Sequence, residues 1–465
     1  MTFADTTTSI RQLQEQVTGR VITPEDDGYD KTRRGFNLTI DHHPALILVA
    51  ENAQDIAAGI RFAADNASAI AGIAIQSTGH GQHIAADGAL LIVTSRMKDV
   101  HINADTRIAR IEAGVIWEQV VNAAAPHGLA PLLGSSPHVG VVGYSLGGGI
   151  GWLARKYGLA ADSIRSIDLV TLDGELRHTS ATENSDLFWG LRGGKGNFGV
   201  VTDMEIELFP VAKLYGGDIA YPGEAAADAL RFFRSWTSEA PDELTSSIAV
   251  MKLPNLPEVP EPMRGKNLVI VRAAYVGAAE NGAALIQKWL DWRAPMSNSF
   301  HEMPFSEIAT ISNDPTEPVS THYSNELLNE LSDDAIDVIV RTMTNSASPL
   351  LITELRHAGG AIARVDKNAS AIGNRDAQVY MQLAGFAPTP EAKDNVMAAI
   401  RHYKAELHPF LGGGVYLNFL LGEEAERRAK DAYSPESYAR LLALKAKYDP
   451  ENLLRYSYHL VTSVA

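Results

Sequence analysis

The stretch that most constrains how this chain can fold is 134–162, GSSPHVGVVGYSLGGGIGWLARKYGLAAD. Eight of its residues are glycine, and glycine loses more backbone freedom on folding than any other residue. Such a density is expected where the main chain must adopt positive φ angles or approach a ligand more closely than a Cβ atom allows. We therefore predict that backbone N–H groups of this stretch lie against an extended molecule that carries phosphate.

Part of the same stretch also fits a catalytic motif of hydrolases. GYSLG at 143–147 matches the G-x-S-x-G nucleophile elbow of α/β-hydrolases, with 139–142 as the strand that leads into it. Ser145 would be the nucleophile and His459 the base, with His80 in an oxyanion loop. A nucleophile elbow must be followed directly by a helix, and the glycines after Ser145 are a poor start for one. An esterase that uses Ser145 is therefore kept only as the alternative function.

The composition restricts the partners and the compartment. The 465 residues include 56 acidic and 40 basic side chains, a formal charge of −16, which argues against nucleic acid and anionic membrane as partners. The absence of cysteine excludes disulfides, thiolate metal sites and a cysteinyl bond to a cofactor. No signal-peptide layout or membrane-length apolar run is evident, so we expect a cytoplasmic protein. The length of 465 residues predicts two domains or one large domain.

Short strands and helices alternate in the first half of the chain. Apolar segments at 44–50 and 71–76 predict strands, and 53–66 between them predicts a helix. The second strand runs directly into STGHGQH at 77–83, and a glycine loop after a strand is a usual place for backbone that faces phosphate. G-x-G-x-x-G occurs at 194–199, but 200–209 alternates as a strand, so we reject a Rossmann dinucleotide site.

From about residue 213 the pattern changes to longer elements. Strand-like segments alternate with amphipathic helices, which predicts one sheet with helices on one face. The predicted helices are 226–236, 278–289, 333–342 and 390–407, and the predicted strands are 246–253, 268–276, 350–357 and 377–385.

Five ordered segments resemble one family of flavoproteins. They are TGHG at 78–81, GSSPHVGVVGYSLGGGIGWLARKYGL at 134–159, ENSDLFWGLRGGKGNFGVVTDMEIEL at 183–208, VYLNF at 415–419, and YARLLALKAKYDPENLLR at 438–455 with the SYHL that follows. In this order they resemble the berberine-bridge-enzyme-like branch of the vanillyl-alcohol-oxidase superfamily, over nearly the whole chain.

The resemblance implies an α+β fold and a flavin cofactor. It predicts a two-part PCMH-type FAD-binding domain at 1–212, a substrate domain at 213–411 with an antiparallel sheet covered by helices, and a C-terminal segment at 412–465 that returns to the FAD domain. FAD would lie with its pyrophosphate against 77–83 and 140–151, and with its ring at the domain interface. The implied reaction takes hydride from a small organic substrate to flavin N5 and passes electrons to O2, giving H2O2. Besides the esterase, the alternatives are a dehydrogenase with another acceptor and a non-catalytic flavin-binding relative that has lost its base. The substrate class is open between an amine or N-heterocycle, an alcohol of a natural product and a sugar, and the oligomeric state is open as well.

The resemblance also implies which residues bind the cofactor. His80 stands at the position that is bonded to the flavin in the family, whereas a metal pair with His83 lacks a nearby carboxylate cluster, so no metal site is predicted. Ser136 replaces the cysteine that makes a second covalent bond in many relatives. Val139 falls at the residue that gates oxygen, and Tyr144 replaces a histidine near the ribityl chain. The other implied FAD contacts are Ser77, Thr78, Gly79, Gly81, Gln82, His83, Gly140, Gly143, Gly147, Gly148, Gly151, Gly199, Val200 and Asn418.

The residue that removes a proton from substrate is not evident from the resemblance. Phe419 replaces the basic tyrosine of the family's Y-x-N-Y motif, and Met381 replaces the acid that follows a strand tyrosine in plant members. The remaining candidates are Tyr380, Tyr416, Tyr458 and His459. A phenol with an ordinary pKa of about 10 needs a nearby cation or dipole to act as a base near neutrality. Substrates that need no base, such as amines, become more plausible.

Overall fold

The computed structural model describes residues 3–253, 255, 261, 264–458 and 460, and it is an α+β structure. The strands are β1 Arg20–Ile22, β2 Leu46–Val49, β3 Ile73–Gln76, β4 Leu90–Val93, β5 Val100–Asn103, β6 Ile108–Glu112, β7 Ile164–Val170, β8 Leu176–Ser180, β9 Val200–Glu207, β10 Lys213–Pro222, β11 Leu244–Lys252, β12 Asn267–Tyr275, β13 Ser297–Asn298, β14 His301–Pro304, β15 Thr321–Leu328, β16 Leu350–His357 and β17 Val379–Phe386. The helices are α1 Phe3–Gln16, α2 Tyr29–Arg33, α3 Ala53–Asp65, α4 Trp117–Ala124, α5 Val141–Leu146, α6 Ala154–Tyr157, α7 Ser185–Gly194, α8 Ala226–Ser238, α9 Ala279–Trp292, α10 Asp333–Thr344, α11 Ala361–Arg364, α12 Pro390–Leu407, α13 Gly422–Arg428 and α14 Pro435–Tyr448.

The first sheet places the 77–83 loop. Its order is β1-β2-β4-β3, in which β2, β4 and β3 are parallel and β1 is antiparallel. Parallel strands need a crossover connection, and the α3 helix supplies it between β2 and β3, which lie on either side of β4. That helix begins where the Asn52 side chain accepts a hydrogen bond from the Asp55 N–H. Because β3 ends at Gln76, the loop leaves from the carboxyl end of the parallel strands.

The second sheet is antiparallel and lies next along the chain. Its order is β5-β6-β9-β7-β8, and the glycine turn at 194–199 leads straight into β9. A strand therefore follows the G-x-G-x-x-G sequence, which agrees with the rejection of a Rossmann site.

The third sheet is antiparallel and has helices against one face. Its order is β13-β10-β12-β11-β16-β17-β15, and β14 also pairs with β10. Side chains alternate across a strand, so Leu355 of β16 and Met381 of β17 pack with α8, α10 and α12 in one apolar core. Glu354, Arg356 and Gln382 occupy the positions between and line a cavity on the opposite face. All four strands and all four helices predicted after residue 213 are present.

Two long strands of that sheet were missed in the sequence. The β10 strand contains Gly216 and Gly217, which weaken a strand signal. The β15 strand carries polar residues that are nevertheless buried, among them His322, Asn325 and Glu326, so its pattern does not look like a sheet core.

The C-terminal segment returns to the first half of the chain. Val415 and Leu441 belong to the same apolar core as Trp117 and Phe198, and Leu453 packs in the core around α3. The first of these cores also takes in Met303 and neighbours from the third sheet, so the boundaries at 212/213 and 411/412 stay a prediction. Across the described stretches, the helices are too short or too polar to cross a bilayer.

Candidate active site

One cavity of about 650 Å³ lies between the glycine-rich loops and the third sheet. The loop wall, as we name it, consists of residues 77–83, 134–144 and 195–199 where they line this cavity. The sheet wall consists of Met251, Arg272, Glu354, Arg356 and Gln382. Residues 418–419 and 456–458 of the C-terminal segment complete the lining.

The glycines of the loop wall leave room for a ligand. A Cβ atom placed on Gly81 or Gly143 would meet no protein atom within 4 Å. A Cβ on Gly140 would stand 3.1 Å from Ser77 Oγ, so glycine there lets two segments of the wall approach each other. The backbone is therefore close-packed behind the wall and open at its surface.

Polar atoms of the loop wall have no partner within the described residues. They are buried, and a buried polar atom without a hydrogen bond costs about 1–3 kcal/mol unless a ligand or water satisfies it. The atoms are Ser77 Oγ, His80 Nε2, Gln82 Oε1, Ser136 Oγ and Tyr144 Oη. Burial raises the pKa of Tyr144 well above its ordinary value, so its hydroxyl stays protonated and can donate.

The His80 ring is held in one orientation. It stacks on Phe36 with the ring centroids 3.8 Å apart, and its Nδ1 lies 2.8 Å from Thr78 Oγ1. Burial, with a smaller contribution from His138, lowers the pKa of His80 to about 4. The imidazole is therefore neutral at physiological pH. When Nδ1 carries the proton and donates to Thr78, the buried Nε2 presents a lone pair.

The sheet wall is charged and internally paired. Glu354 accepts hydrogen bonds from Arg356 Nε at 3.0 Å, from Arg272 Nη1 at 3.4 Å and from Ser247 Oγ at 2.8 Å. Burial would raise the pKa of Glu354, but the two guanidinium groups hold it below its ordinary value. Burial would lower the pKa of Arg356, yet Glu354 keeps it raised. These three side chains carry a net charge of +1, and Arg356 lies 5.1 Å from the centroid of the Phe419 ring.

Lys195 is a buried cation of the loop wall. Its Nζ donates to the Gly143 carbonyl at 3.1 Å and to Asn418 Oδ1, and it lies 5.1 Å from the centroid of the Tyr458 ring. Its backbone has φ 58° and ψ −153°, a region used almost only by glycine, which costs another residue about 1–3 kcal/mol. Burial lowers the pKa of Lys195 to about 7.

Comparisons with known proteins agree with this architecture. Residues 44–180 match the family model of the FAD binding domain, and residues 415–458 match the model described as berberine and berberine like. (R)-6-Hydroxynicotine oxidase of Paenarthrobacter nicotinovorans is 28% identical, over 96% of this chain and 97% of that protein. Chitooligosaccharide oxidase of Gibberella zeae is 29% identical, over 90% of this chain and 88% of that protein. The chain is therefore an FAD-linked oxidoreductase, with an FAD-binding domain and a C-terminal segment that matches the berberine-bridge-enzyme-like (BBE-like) model.

Solved structures show the same fold. The crystal structure of 6-hydroxy-D-nicotine oxidase from Arthrobacter nicotinovorans matches this BBE-like oxidoreductase with a TM-score of 0.85 and 27% identity, over 96% of this chain and 98% of that one. The BBE-like 1 protein of Physcomitrella patens matches with a TM-score of 0.83 and 21% identity, over 96% and 97% of the two chains. The α+β fold with a PCMH-type FAD-binding domain is therefore confirmed.

The loop wall fits FAD on its own chemistry. An extended dinucleotide offers phosphate, hydroxyl and ring acceptors along its length, and this wall offers unpartnered hydroxyl and amide groups along the cavity. Gly81 and Gly143 leave open the space that a side chain would fill. Residues 77–83 and 134–144, with Gly196, Gly199 and Asn418, would hold the cofactor.

Most of the predicted cofactor contacts lie at the cavity. Those that line it are Ser77, Thr78, Gly79, His80, Gly81, Gln82, His83, Ser136, Val139, Gly140, Gly143, Tyr144, Gly199 and Asn418. Gly147, Gly148, Gly151 and Val200 do not line it, and Val201 does so in place of Val200. A Cβ on Gly147 would overlap Asn418 and Lys195, and one on Gly151 would overlap the Leu133 carbonyl. These two glycines therefore allow close packing behind the wall.

The four candidate bases are placed differently. Tyr380 and Tyr416 do not line the cavity, and they pack edge to face with their centroids 5.4 Å apart. The Tyr416 hydroxyl accepts hydrogen bonds from the Gly149 and Ile150 N–H groups at 2.7 and 3.0 Å, so it supports the glycine stretch. Burial raises the pKa of both phenols, which makes them poor bases. His459 lies outside the described residues.

Tyr458 does line the cavity, where its ring stacks on His83 with the centroids 4.0 Å apart. Its hydroxyl donates to the Leu420 carbonyl at 3.2 Å, and burial raises its pKa well above the ordinary value. A phenol in this state holds its proton and orients the loop wall.

The structure gives no support to the esterase alternative. Residues 141–146 form the α5 helix, so the predicted strand before Ser145 is absent from this described segment. Ser145 is fully buried and does not line the cavity. A nucleophile must reach its substrate, and this hydroxyl does not.

Several residues at the cavity were missed in the sequence. Lys195 stands among glycines in RGGKGNFG, and a long side chain in a glycine turn was the available signal. Glu354 and Arg356 alternate with apolar residues on the predicted strand 350–357, and charges at every second position indicate a polar face of the sheet. Phe36, Arg272 and Gln382 carried no signal of their own.

Proposed function

We propose that this BBE-like oxidoreductase is an oxidase that takes two electrons from a small organic molecule and passes them to O2, giving H2O2. The observation that carries the proposal is the pairing of the two walls in one cavity, one with unpartnered polar atoms and one with preorganised charge. A dinucleotide occupies the first wall, and the second remains available to a substrate.

His80 is the residue we expect to bond covalently to FAD. Its neutral ring, fixed between Phe36 and Thr78, has a buried nitrogen without a protein partner among the described residues. Ser136 has a hydroxyl where a cysteine would be needed for a second bond, so one bond is expected. FAD, when bound, supplies the electron acceptor that takes a hydride from a substrate carbon.

Arg356 and Arg272 define the substrate end of the cavity. Glu354 fixes both guanidinium groups, and Arg356 Nη1 makes no hydrogen bond within the described residues. A planar guanidinium with a spare N–H edge binds a carboxylate, phenolate or carbonyl oxygen well. We therefore favour a substrate that presents an acidic or strongly accepting oxygen to Arg356.

Oxygen is the expected electron acceptor. Val139, at the cavity, has a small side chain at the position that gates oxygen in the family. The characterised relatives quoted above are named oxidases, which supports the same choice.

Anaerobic bleaching tests the proposal. A panel of small aromatic and aliphatic acids, phenols, amines and sugars is mixed with the purified holoenzyme without oxygen, and flavin absorbance is recorded. We expect a carboxylic acid or a phenol, whose oxygen can accept a hydrogen bond from Arg356, to bleach the flavin. Air should then restore the colour with one H2O2 per substrate. Bleaching that air does not reverse would identify a dehydrogenase, and no bleaching by any class would contradict a catalytic role.

A further inference from the structure

Lys195 occupies an unusual position at the edge of the cavity. It lines the cavity, and it stands in a backbone conformation that suits glycine. Gly147 has no side chain, and a Cβ there would overlap both Lys195 and Asn418. Two separate features of the chain, a strained lysine backbone and a glycine whose Cβ would displace the lysine side chain, thus place one amine at this point of the wall.

The hydrogen bonds of the amine allow it to gain or lose a proton without rearrangement. Lys195 Nζ donates to the Gly143 carbonyl and to Asn418 Oδ1. A neutral amine has two N–H groups and one lone pair, so both bonds persist and the lone pair is open. An ammonium has three N–H groups, and its third finds no acceptor within the described residues.

Asn418 fixes the amine from the other side. Its Nδ2 donates to the Tyr144 carbonyl at 3.0 Å and to the Tyr416 hydroxyl at 3.0 Å. Because its amide nitrogen is committed to two acceptors, its Oδ1 must face Lys195. The amide cannot flip without losing these bonds, so the site always offers the amine an acceptor.

The surroundings leave the charge of Lys195 uncompensated. Within the described residues no carboxylate lies within ion-pair distance of its Nζ, and burial is the cause of its lowered pKa of about 7. Tyr458 lies beside the amine, and Tyr416 is connected to it through Asn418. Lys445, paired with Asp449, reaches the same loop at the Asn197 carbonyl.

We propose that the Lys195 amine is the proton acceptor of the reaction, and this inference rests on the proposed function. The substrate loses a hydride, which is two electrons and one proton, from carbon to the cofactor. It loses a second proton from its heteroatom, directly or through water, to Lys195 Nζ, which becomes an ammonium. The proton taken up by Lys195 adds one positive charge, which would balance the negative charge of a hydride delivered to bound FAD, so the buried cavity would keep its net charge.

The test is the pH dependence of the flavin midpoint potential, measured on the holoenzyme by dye-coupled reductive titration between about pH 6 and 9. Each proton taken up in a two-electron reduction contributes about 30 mV per tenfold change in proton concentration. The wild type should take up one proton below pH 7 and two above it, so its slope doubles. Lys195→Met should keep the single-proton slope throughout, and Lys195→Arg, which stays charged, should do the same at a higher potential.

Two further variants make the result decisive. Lys98→Met removes an exposed lysine and should behave as the wild type. Lys195→Gly suits the local backbone and serves if Lys195→Met does not fold. A wild-type slope that does not double, or a doubling that persists in Lys195→Met or Lys195→Gly, would overturn the proposal. The titration uses neither substrate nor oxygen, so it gives an answer even if the oxidase assignment fails.

Discussion

The loop wall and the sheet wall meet across one cavity but satisfy their polar atoms in opposite ways. Ser77, His80 and Tyr144 of the loop wall are neutral and leave buried atoms without a protein partner among the described residues. Glu354 of the sheet wall is charged and is already paired with Arg272 and Arg356. A wall with unpaired atoms is completed by a permanent ligand, whereas a wall with paired charges is stable alone and can release what it binds.

The largest change in activity is expected from a substitution in the sheet wall. Arg356→Leu removes the guanidinium that we assign to the substrate, so kcat/KM should fall by about 10²-fold or more, while FAD content is unchanged. Arg364→Leu, at an exposed arginine paired with Asp242, is the matched control and should have little effect. Steady-state oxygen consumption and flavin absorbance measure the two quantities. Full activity in Arg356→Leu would show that the substrate lies elsewhere.

A substitution in the loop wall should weaken FAD binding and leave the fold intact. Gly143 lies in the α5 helix, and a Cβ atom added there would meet no protein atom within 4 Å, so Gly143→Leu should fold normally. The new side chain would occupy space that we assign to FAD, so flavin content should fall. In a His80→Ala background, where no covalent bond can form, the affinity for added FAD should fall by about tenfold, the cost of about 1.4 kcal/mol in binding. Ala443→Leu, on an exposed position of α14, is the control. Normal flavin content in a folded Gly143→Leu protein would move the cofactor away from this wall.

The paired charges of the sheet wall should also contribute to the free energy of unfolding. Glu354→Gln keeps the shape but leaves two guanidinium groups without their carboxylate, which should cost about 2–4 kcal/mol in the free energy of unfolding by urea. Because the folded-state pKa of Glu354 lies below its ordinary value, the difference from wild type should be full at neutral pH and shrink as pH falls below about 4. Glu423→Gln, at an exposed pair with Arg427, should change stability little. Equal losses in both variants would argue against a preorganised sheet wall.

The smallest expected effect concerns the Lys195 cation of the loop wall. The folded-state pKa of Lys195, about 7, lies below the ordinary lysine value, so the unfolded chain binds this proton more tightly. Burying the charge should therefore destabilise the oxidised holoenzyme most below pH 7, and less as pH rises toward 10. Lys195→Met should have the higher Tm at pH 6, by a few degrees, and the gap should narrow as pH rises above 7 and close only near pH 10. A gap that is constant with pH would mean that the amine does not titrate in the folded state.

The two walls also differ in how much of each could be predicted from the sequence. Residues 77–83 and most of 134–144 were predicted to lie against one ligand, and they do line one cavity, because backbone geometry needs glycines in a fixed order that the sequence displays. Their contact with FAD stays a prediction. Glu354 and Arg356 lie on a strand that was predicted, but their approach to Arg272 depends on the register between β16, β11 and β12. Tyr380 and Tyr416 were proposed from motifs alone, and only packing shows that they lie behind the wall. Lys195 was missed although a long side chain stands in a glycine turn, because the sequence does not show that its amine turns toward Gly143 and Asn418.

The bond between His80 and FAD is tested most directly by the absorbance spectrum of the purified protein before and after acid precipitation. We expect a flavin spectrum whose colour stays with the precipitated protein, and a His80→Ala variant that releases its flavin into the supernatant. His127→Ala, at an exposed histidine far along the chain, should retain the colour in the pellet. Flavin that leaves the wild-type protein on precipitation would contradict the bond to His80, and a protein that neither carries nor takes up FAD would contradict the assignment of the loop wall.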